Sequence, residues 1–534
     1  MWQVARWLAA ASIAAAQGPI RFENVAEQAG LAFVLDHSPT PRKHLVETMP
    51  GGIAVFDYDS DGRPDIFFTN GAQLPGLVKN SPRFHNRLFR NEGGWRFADV
   101  TERAGIAGEG YSMGAAAGDF DNDGHPDLFV AGVRRNLLYR NRGDGTFADV
   151  TAAAGIGSQR WSVAGGWFDF DNDGLLDLFV VNYARWTPDF DRFCGDAARR
   201  LRIYCHPRYF QPETNQLYRN LGGGRFADIS AAAGLNANPG RGMSVAFADF
   251  DGDQFPDVFV PNDKMENFLF RNSGGKRLEE TALAAGVALP DEGRPISGMG
   301  ADFRDANNDG LPDIVLTALS GETFPLFLSL GKGQFRDATH ASKLAAGSRV
   351  YAGWGVSLAD FDNDGWRDLF TANSHVNDLV ESFEPYVYRQ PNTVFRNLGD
   401  GTFQPVECGM GAARAAHRGS AVADFDGDGR LDIVVSALGG KAELWRNVSA
   451  TSKAWLAVRL AGRKANRSGV GATVRIGSQT NILTSASGYA SGSLTPVHFG
   501  GLEARADIEV VWPGGKRQRV AGAATNRVVS ITEE

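Results

Sequence analysis

Seven nine-residue stretches of this chain place Asp, or in one case Asn, at the same offsets, positions 1, 3, 5 and 9. They are Asp57, Asp59, Asp61 and Asp65; Asp119, Asp121, Asp123 and Asp127; Asp169, Asp171, Asp173 and Asp177; Asp249, Asp251, Asp253 and Asp257; Asp360, Asp362, Asp364 and Asp368; and Asp424, Asp426, Asp428 and Asp432. The fifth stretch reads Asp305, Asn307, Asp309 and Asp313. Calcium takes six to eight oxygens at about 2.3–2.6 Å, and aspartates from alternate residues of a tight turn supply them. Glycine at position 6 permits the left-handed backbone that wraps such a turn. One Asp/Gly turn alone is an ordinary solvated loop; seven in phase point to seven structural Ca²⁺ sites. Four carboxylates in a tight turn repel one another without a cation. Gln254 replaces the glycine in loop 4 and Asn307 removes a charge from loop 5, which marks these two as weaker sites. Position 12 is apolar or Thr371 and lies in a strand-like run, so the loops are not EF-hands.

The elements that must hold these loops recur with them. A run of small residues precedes each loop (Gly114 to Gly118, Gly355 to Ala359, Gly419 to Ala423), and an apolar run follows it. Then comes Asn-x-Leu-(Phe/Tyr)-Arg-Asn, as at Asn136 to Asn141, a glycine turn, and Phe-x-Asp-Val-Thr, as at Phe147 to Thr151. Four short strands per unit and seven units predict an all-β chain with a seven-bladed β-propeller over residues 17–449. The acidic loop joins strand 1 to strand 2. Phe22-Glu23-Asn24-Val25 lacks a preceding Arg-Asn strand, and Leu444 to Asn447 lacks a following Phe-x-Asp element. The N-terminal strand is therefore expected to complete the last blade and remove an open edge. Long inserts fall between strands 2 and 3, at 71–85, 183–214 and 374–391. They share a rim opposite the acidic loops, and that rim is where a ligand is expected. Residues 450–534 have no acidic loop, alternate like strands, and read as a separate small β domain.

Other chemistry is sparse. No His-Glu-x-x-His, Gly-x-Ser-x-Gly or phosphate loop occurs. His44, Glu47, His375 and His417 all fall on the insert-bearing rim of neighbouring blades. They can hold a transition metal, serve acid–base work, or simply pack the rim. Tyr111, Trp161, Arg241, Tyr351 and Arg418 enter inner strands on the same rim and can line a channel mouth or pack between blades. The same ambiguity holds for Trp186, Phe190, Phe193, Tyr204, Tyr209 and Phe210 of the third blade's insert. Cys194 and Cys205 can bridge that insert, leaving Cys408; three buried thiols are the alternative.

The acids of the loops are 27 of the chain's 62, and seven divalent ions would carry the formal charge from −8 to +6. The acidity thus reads as ligand charge. No basic run appears, which argues against nucleic acid as a partner. Residues 1–16, with Arg6 before an apolar run ending Ala14-Ala15-Ala16, read as a secretory signal. No later stretch is apolar enough to span a membrane. A secreted, periplasmic or cell-surface location follows.

Gly52 to Asp65, Ser297 to Asp313, Arg418 to Asp432, the Cys205-His206-Pro207 segment and His375-Val376 resemble the FG-GAP/VCBS-repeat proteins that end in an ASPIC/UnbV domain, the bacterial relatives of cartilage acidic protein. So do Asn466 to Ala472, Gly488-Tyr489, His498-Phe499-Gly500 and Val511-Trp512-Pro513 in the last domain. The resemblance implies an extracellular or periplasmic calcium-binding propeller, and by analogy with integrin α-subunits an adhesion module for a protein or carbohydrate. An enzyme with its site near His44, Glu47, His375 and His417, or a purely structural surface protein, remain the alternatives. Ligand and oligomeric state are not written in the sequence.

Overall fold

Tyr111–Gly118, Asp127–Val133, Leu137–Asn141 and Phe147–Asp149 show how one repeat unit folds. The four strands pair antiparallel in sequence order. The first two are buried throughout; the third is buried except at Arg140, and the last is buried only at Phe147. A one-turn helix, Thr151–Ala154, then leads inward to the next unit and stops at Gly155, whose φ of 78° suits a left-handed helix end.

The structure is a computed structural model that describes residues 20–451 and 453–534. The expected signal at 1–16 lies outside the described residues. Seven sheets carry the repeat, each with four propeller strands. The seventh is Phe22–Asn24, Glu443–Asn447, Asp432–Ala437 and His417–Ala423, with Phe22 opposite Asn447. The N-terminal strand thus completes the last blade. The ring also meets itself at the inner strands, where Ser436 Oγ donates to Gly51 O at 2.5 Å. Inner-strand residues are small because neighbouring backbones crowd together. A Cβ on Gly300 would lie 2.0 Å from Trp354 O.

Residues 454–532 form two further sheets. One holds Val497–Leu502, Ala454–Ala461 and Arg527–Thr532; the other holds Gln479–Ile482, Thr473–Ile476, Arg505–Val511 and Arg517–Ala524. Leu456, Val474, Phe499, Val510 and Trp512 pack between them. This unit has its own core, and it also reaches into the propeller. Its segment 483–496 enters the centre of the propeller. Gly492–Leu494 pairs parallel with Ile53–Phe56 as a fifth strand of the first blade. Gly488 pairs with Ala301, Ser485 Oγ accepts from Trp167 N at 2.7 Å, and Ala490 O accepts from Ala115 N at 3.1 Å. One strap therefore touches inner strands from several blades. The channel is filled by backbone whose partners are already supplied, which meets the requirement that buried polar groups be paired.

Candidate functional site

Each acidic loop is a knot of backbone hydrogen bonds before any ion is considered. In loop 2, Asp119 accepts from Asp123 N at 3.1 Å and Gly124 N at 2.9 Å. Asp123 Oδ1 accepts from His125 N at 2.9 Å. Asp127 accepts from Phe120 N at 3.1 Å and from Asn141 N, in the third strand, at 2.8 Å. Position 9 is thus a staple between the loop and strand 3, repeated by Asp65, Asp177, Asp257, Asp313, Asp368 and Asp432. Position 6 is left-handed as expected, including Gln254 at φ 75°. Position 4 is left-handed too, as at Asn122 with φ 58°. Its side chain then reaches the next loop: Asn122 Nδ2 donates to Gly174 O at 2.9 Å, and Asn363 Nδ2 donates to Gly429 O at 3.0 Å.

Two residues of the Arg-Asn strand belong to the site although their spacing did not announce it. Asn141 Nδ2 donates to Tyr58 O of the previous blade's loop at 2.8 Å and to Pro126 O of its own at 3.1 Å. Arg140 reaches Asp121 at 2.5 Å and Asp123 at 3.2 Å; Arg90 and Arg396 make the equivalent pairs. Loop 5 lacks both partners, since Leu328 and Ser329 stand in those places. Loop 5 has therefore lost an acid and its arginine together, which leaves its net charge in line with the others.

The other oxygen at position 3 is the informative one. Oδ1 of Asp59, Asp121, Asp171, Asp362 and Asp426 is buried with no hydrogen-bond partner. In loops 2, 3, 4 and 6 the carboxylate oxygens of positions 1, 3 and 9 lie within 4.8 Å of one another; in loop 1 positions 1, 3 and 5 do so. Two ligands on opposite sides of an ion at about 2.4 Å are separated by about that distance. The all-oxygen donor set, the spacing and the orphaned atoms fit a hard divalent cation. Burial, with the neighbouring loop carboxylates, pushes Asp65 and Asp313 up to about 8, and Asp169 and Asp360 up to about 7.

The C-terminal unit sits on this same rim. Arg459 Nη1 lies 3.4 Å from Asp57, Arg467 N donates to Asn122 Oδ1 at 2.8 Å, and Arg367 Nη2 donates to Thr480 O at 2.7 Å. His498 Nε2 lies 3.0 Å from Gly429 O. The acidic loops are thus also a docking surface for the last domain.

On the opposite rim a cup of about 450 Å³ opens, walled by the inserts of blades 3 and 6. Phe193, Tyr204, Arg208 and Tyr209 come from the first insert, His375, Val376 and Glu384 from the second, and Thr48, Met49, Met299 and Trp354 from the inner blades. Cys194 and Cys205 form a disulfide across the first insert, and Cys408 is a buried free thiol. Tyr489 of the C-terminal strap lies against the floor. Its ring meets Trp354 edge-on at 4.8 Å, and its hydroxyl donates to Met49 O at 2.7 Å.

The four sequence-selected His and Glu residues have different surroundings. His417 is fully buried, with Nδ1 3.0 Å from Asn373 O and Nε2 3.1 Å from Glu443. Glu47 accepts from Thr40 Oγ1 at 2.6 Å and Tyr204 OH at 3.2 Å, and burial pushes its carboxyl up. His44 packs on Trp186. His375 alone of the four lines the cup. His44 and Glu47 share one turn, where His44 N donates to Glu47 Oε1 at 3.1 Å, while His417 pairs with Glu443; this arrangement favours the rim-packing alternative. The aromatic and arginine set is also placed deeper than a channel mouth. Tyr111 donates to His37 O at 2.8 Å, Trp161 packs on Tyr183, and Arg241 donates to Phe210 O at 2.9 Å, all three buried. Tyr351 is half-buried against core residues, and Arg418 is fully buried beneath the cup. Of the insert aromatics, Phe193, Tyr204 and Tyr209 line the cup, while Trp186 and Phe210 are buried in the core with Phe190 packed against it.

A family model described as FG-GAP-like repeat matches residues 57–130, 120–180, 208–260, 249–316, 305–371 and 378–435. A second, FG-GAP repeat, matches 418–455, and a third, ASPIC and UnbV, matches 462–534. Cartilage acidic protein 1 of Mus musculus is 31% identical over 341 residues, covering 60% of this chain and 49% of that protein. The Homo sapiens protein of the same name is 30% identical, covering 60% and 48%. The chain thus spans about half the length of these curated relatives. Among solved structures, an Agrocybe aegerita lectin specific for non-reducing terminal N-acetylglucosamine overlays at TM-score 0.40 and 18% identity, covering 72% of this chain and 88% of that one. That overlay is too loose to bear on function. Among the described residues no helix is long and apolar enough to cross a membrane.

Proposed function

Because this chain belongs to the FG-GAP-repeat proteins that carry an ASPIC and UnbV domain, we propose that it is an exported binding module: a calcium-braced propeller that presents a ligand cup on the rim away from its acidic loops. The cup is the observation that carries the reading. Its volume of about 450 Å³ lies in the range of small-ligand sites, roughly 300–1,000 Å³. Aromatic walls, a few polar groups and a floor closed by Trp354 and Tyr489 are the composition such sites use. The ligand is a carbohydrate or a short segment of protein.

Calcium at the acidic loops is the second part of the proposal. The orphaned oxygens at position 3 and the clustered carboxylates support it. Asp at positions 1, 3, 5 and 9 would hold the ion, with Asn307 substituting in loop 5. The bound cation would neutralise charge that the fold concentrates, and it would fix the crossing from strand 1 to strand 2 and the seat of the C-terminal unit. Export is supported by the disulfide, which persists in oxidising compartments.

The test of the cup is a screen of the full chain, in calcium, against glycans and peptides, repeated with Phe193→Ala and Tyr209→Ala together. Ligands of the cup should lose about tenfold or more in affinity, the scale of a lost aromatic contact at the centre of a site. Ligands held equally by the variant would place recognition elsewhere and refute the reading.

A further inference from the structure

Arg418 lies beneath the floor of the cup with its charge unanswered. The residue is fully buried. Its Nε donates to Thr48 O at 2.6 Å, and its Nη1 donates to His417 O at 2.7 Å and to Ser374 Oγ. The guanidinium stacks on Trp354 at 3.9 Å. Nη2 has no partner. No carboxylate pairs with Arg418 among the described residues, whereas most buried charges in proteins are paired. Burial lowers its proton affinity only to about 10, so it stays cationic at neutral pH.

A second orphan donor lies beside it. His375 follows Ser374 in sequence and lines the cup. Its Nδ1 accepts from Asn377 N at 3.0 Å, so the neutral ring carries its proton on Nε2. That Nε2 is buried and also without an acceptor. Higher on the wall, Arg192 and Arg208 flank the ring of Tyr209 at 4.0 Å and 4.9 Å, and neither has a carboxylate partner among the described residues. Lys264 is answered by Glu322. Asp263 accepts from Tyr183 OH at 2.7 Å, and burial pushes its carboxyl up toward the neutral form. Glu384 is then the one exposed acid of the lining against three unpaired guanidinium groups at the wall and floor.

We propose that the cup takes an acidic saccharide, whose carboxylate accepts from His375 and is drawn by the uncompensated charge of Arg418 beneath the floor, and whose ring packs on the aromatic wall between Arg192 and Arg208. This rests on the cup reading given above. A carboxylate matches the arginine fork and accepts from an imidazole N–H. Tyr209, Phe193 and Trp354 offer flat faces of the size of a sugar ring, while Thr48, Ser297 and Asn377 offer hydroxyl and amide partners. The small volume disfavours a folded partner, whose footprint is about 800 Å² per side.

The test is titration calorimetry of the full chain in calcium with galacturonate and glucuronate disaccharides, their methyl esters, neutral disaccharides, and short peptides with free C-terminal carboxylates. The acids should bind about tenfold or more tighter than their esters, the scale of one charge-assisted contact, and should weaken as salt is raised. Arg192→Gln and Arg208→Gln change exposed residues and should narrow the acid-to-ester ratio; Arg418→Met, which removes the buried charge, should narrow it further. Esters bound as well as acids, or acids left unbound, would overturn the proposal, as would binding by the peptides alone. A neutral glycan that binds and is lost on Tyr209→Ala would overturn the acidic ligand while leaving the cup standing.

Discussion

Tyr489 belongs to the C-terminal unit, yet it closes the floor of the propeller's cup, and its removal is the sharpest probe of how the two units are joined. Tyr489→Phe deletes one hydrogen bond, from the hydroxyl to Met49 O at 2.7 Å, and leaves a buried carbonyl unpaired. That costs about 1–3 kcal/mol. Tyr489→Ala also removes the edge-on contact with Trp354 and empties a fully buried site. Large aromatic deletions of this kind cost about 3–5 kcal/mol. The assay is hydrogen exchange at the strap, where Gly488 N donates to Ala301 O at 2.8 Å. If exchange follows local opening of the strap, its rate rises tenfold for each 1.4 kcal/mol, so Tyr489→Ala should speed it by about two to three and a half orders of magnitude. Tyr489→Phe should speed it by about one to two orders. The Ala variant should also lose ligand at the cup although no propeller residue has changed. Exchange at Gly488 unchanged from wild type in the Ala variant would refute the account of the strap as a packed floor.

Three further outcomes follow from the same geometry. Asp121→Asn should remove one calcium from the chain and the stability that ion brings, about 2.7 kcal/mol at a hundredfold excess over Kd; Asp121→Asn with Arg140→Leu imitates loop 5 and should recover the ion, as read by metal analysis and melting. In calcium-free protein Asp65 and Asp313 have folded values near 8, above the unfolded value near 3.9, so their contribution is fully present below pH 4 and is lost as pH rises through 8. Melting temperature without calcium should therefore fall between pH 4 and 8 from this source, and added calcium should abolish that slope. Replacing Cys194 and Cys205 by Ser together should free the third blade's insert, with about 3 kcal/mol of local stability lost in the chain-entropy model, and should weaken cup ligands while leaving the calcium count unchanged.

What was legible in the sequence was whatever repeated. Seven copies of one Asp/Gly frame located the turn between the first two strands of each blade, and the displaced Phe22 element foretold the pairing with Asn447. The last domain was recognised as β structure by alternation, but its strap was not. Ser485 to Ser491 is a run of small residues around one tyrosine, and local pattern cannot distinguish a surface turn from a segment fitted into a channel. The partners of Asn141 and Arg140 were likewise hidden, because a hydrogen bond to Tyr58 O joins residues 83 positions apart. His417 finds its partner in Glu443, 26 positions along the chain, a pairing that local pattern does not encode. The cup itself depends on which insert side chains cover which inner strands, and nothing repeats there to read.

The central claim is that the acidic rim is built for calcium and that the ion braces the ring and the domain seated on it. The direct measurement is calcium content after equilibrium dialysis, paired with melting in calcium and in chelator. Several ions per chain, up to seven, and a melting temperature lowered by many degrees in chelator are predicted. A chain that emerges metal-free from calcium buffer and melts unchanged in chelator would contradict the account.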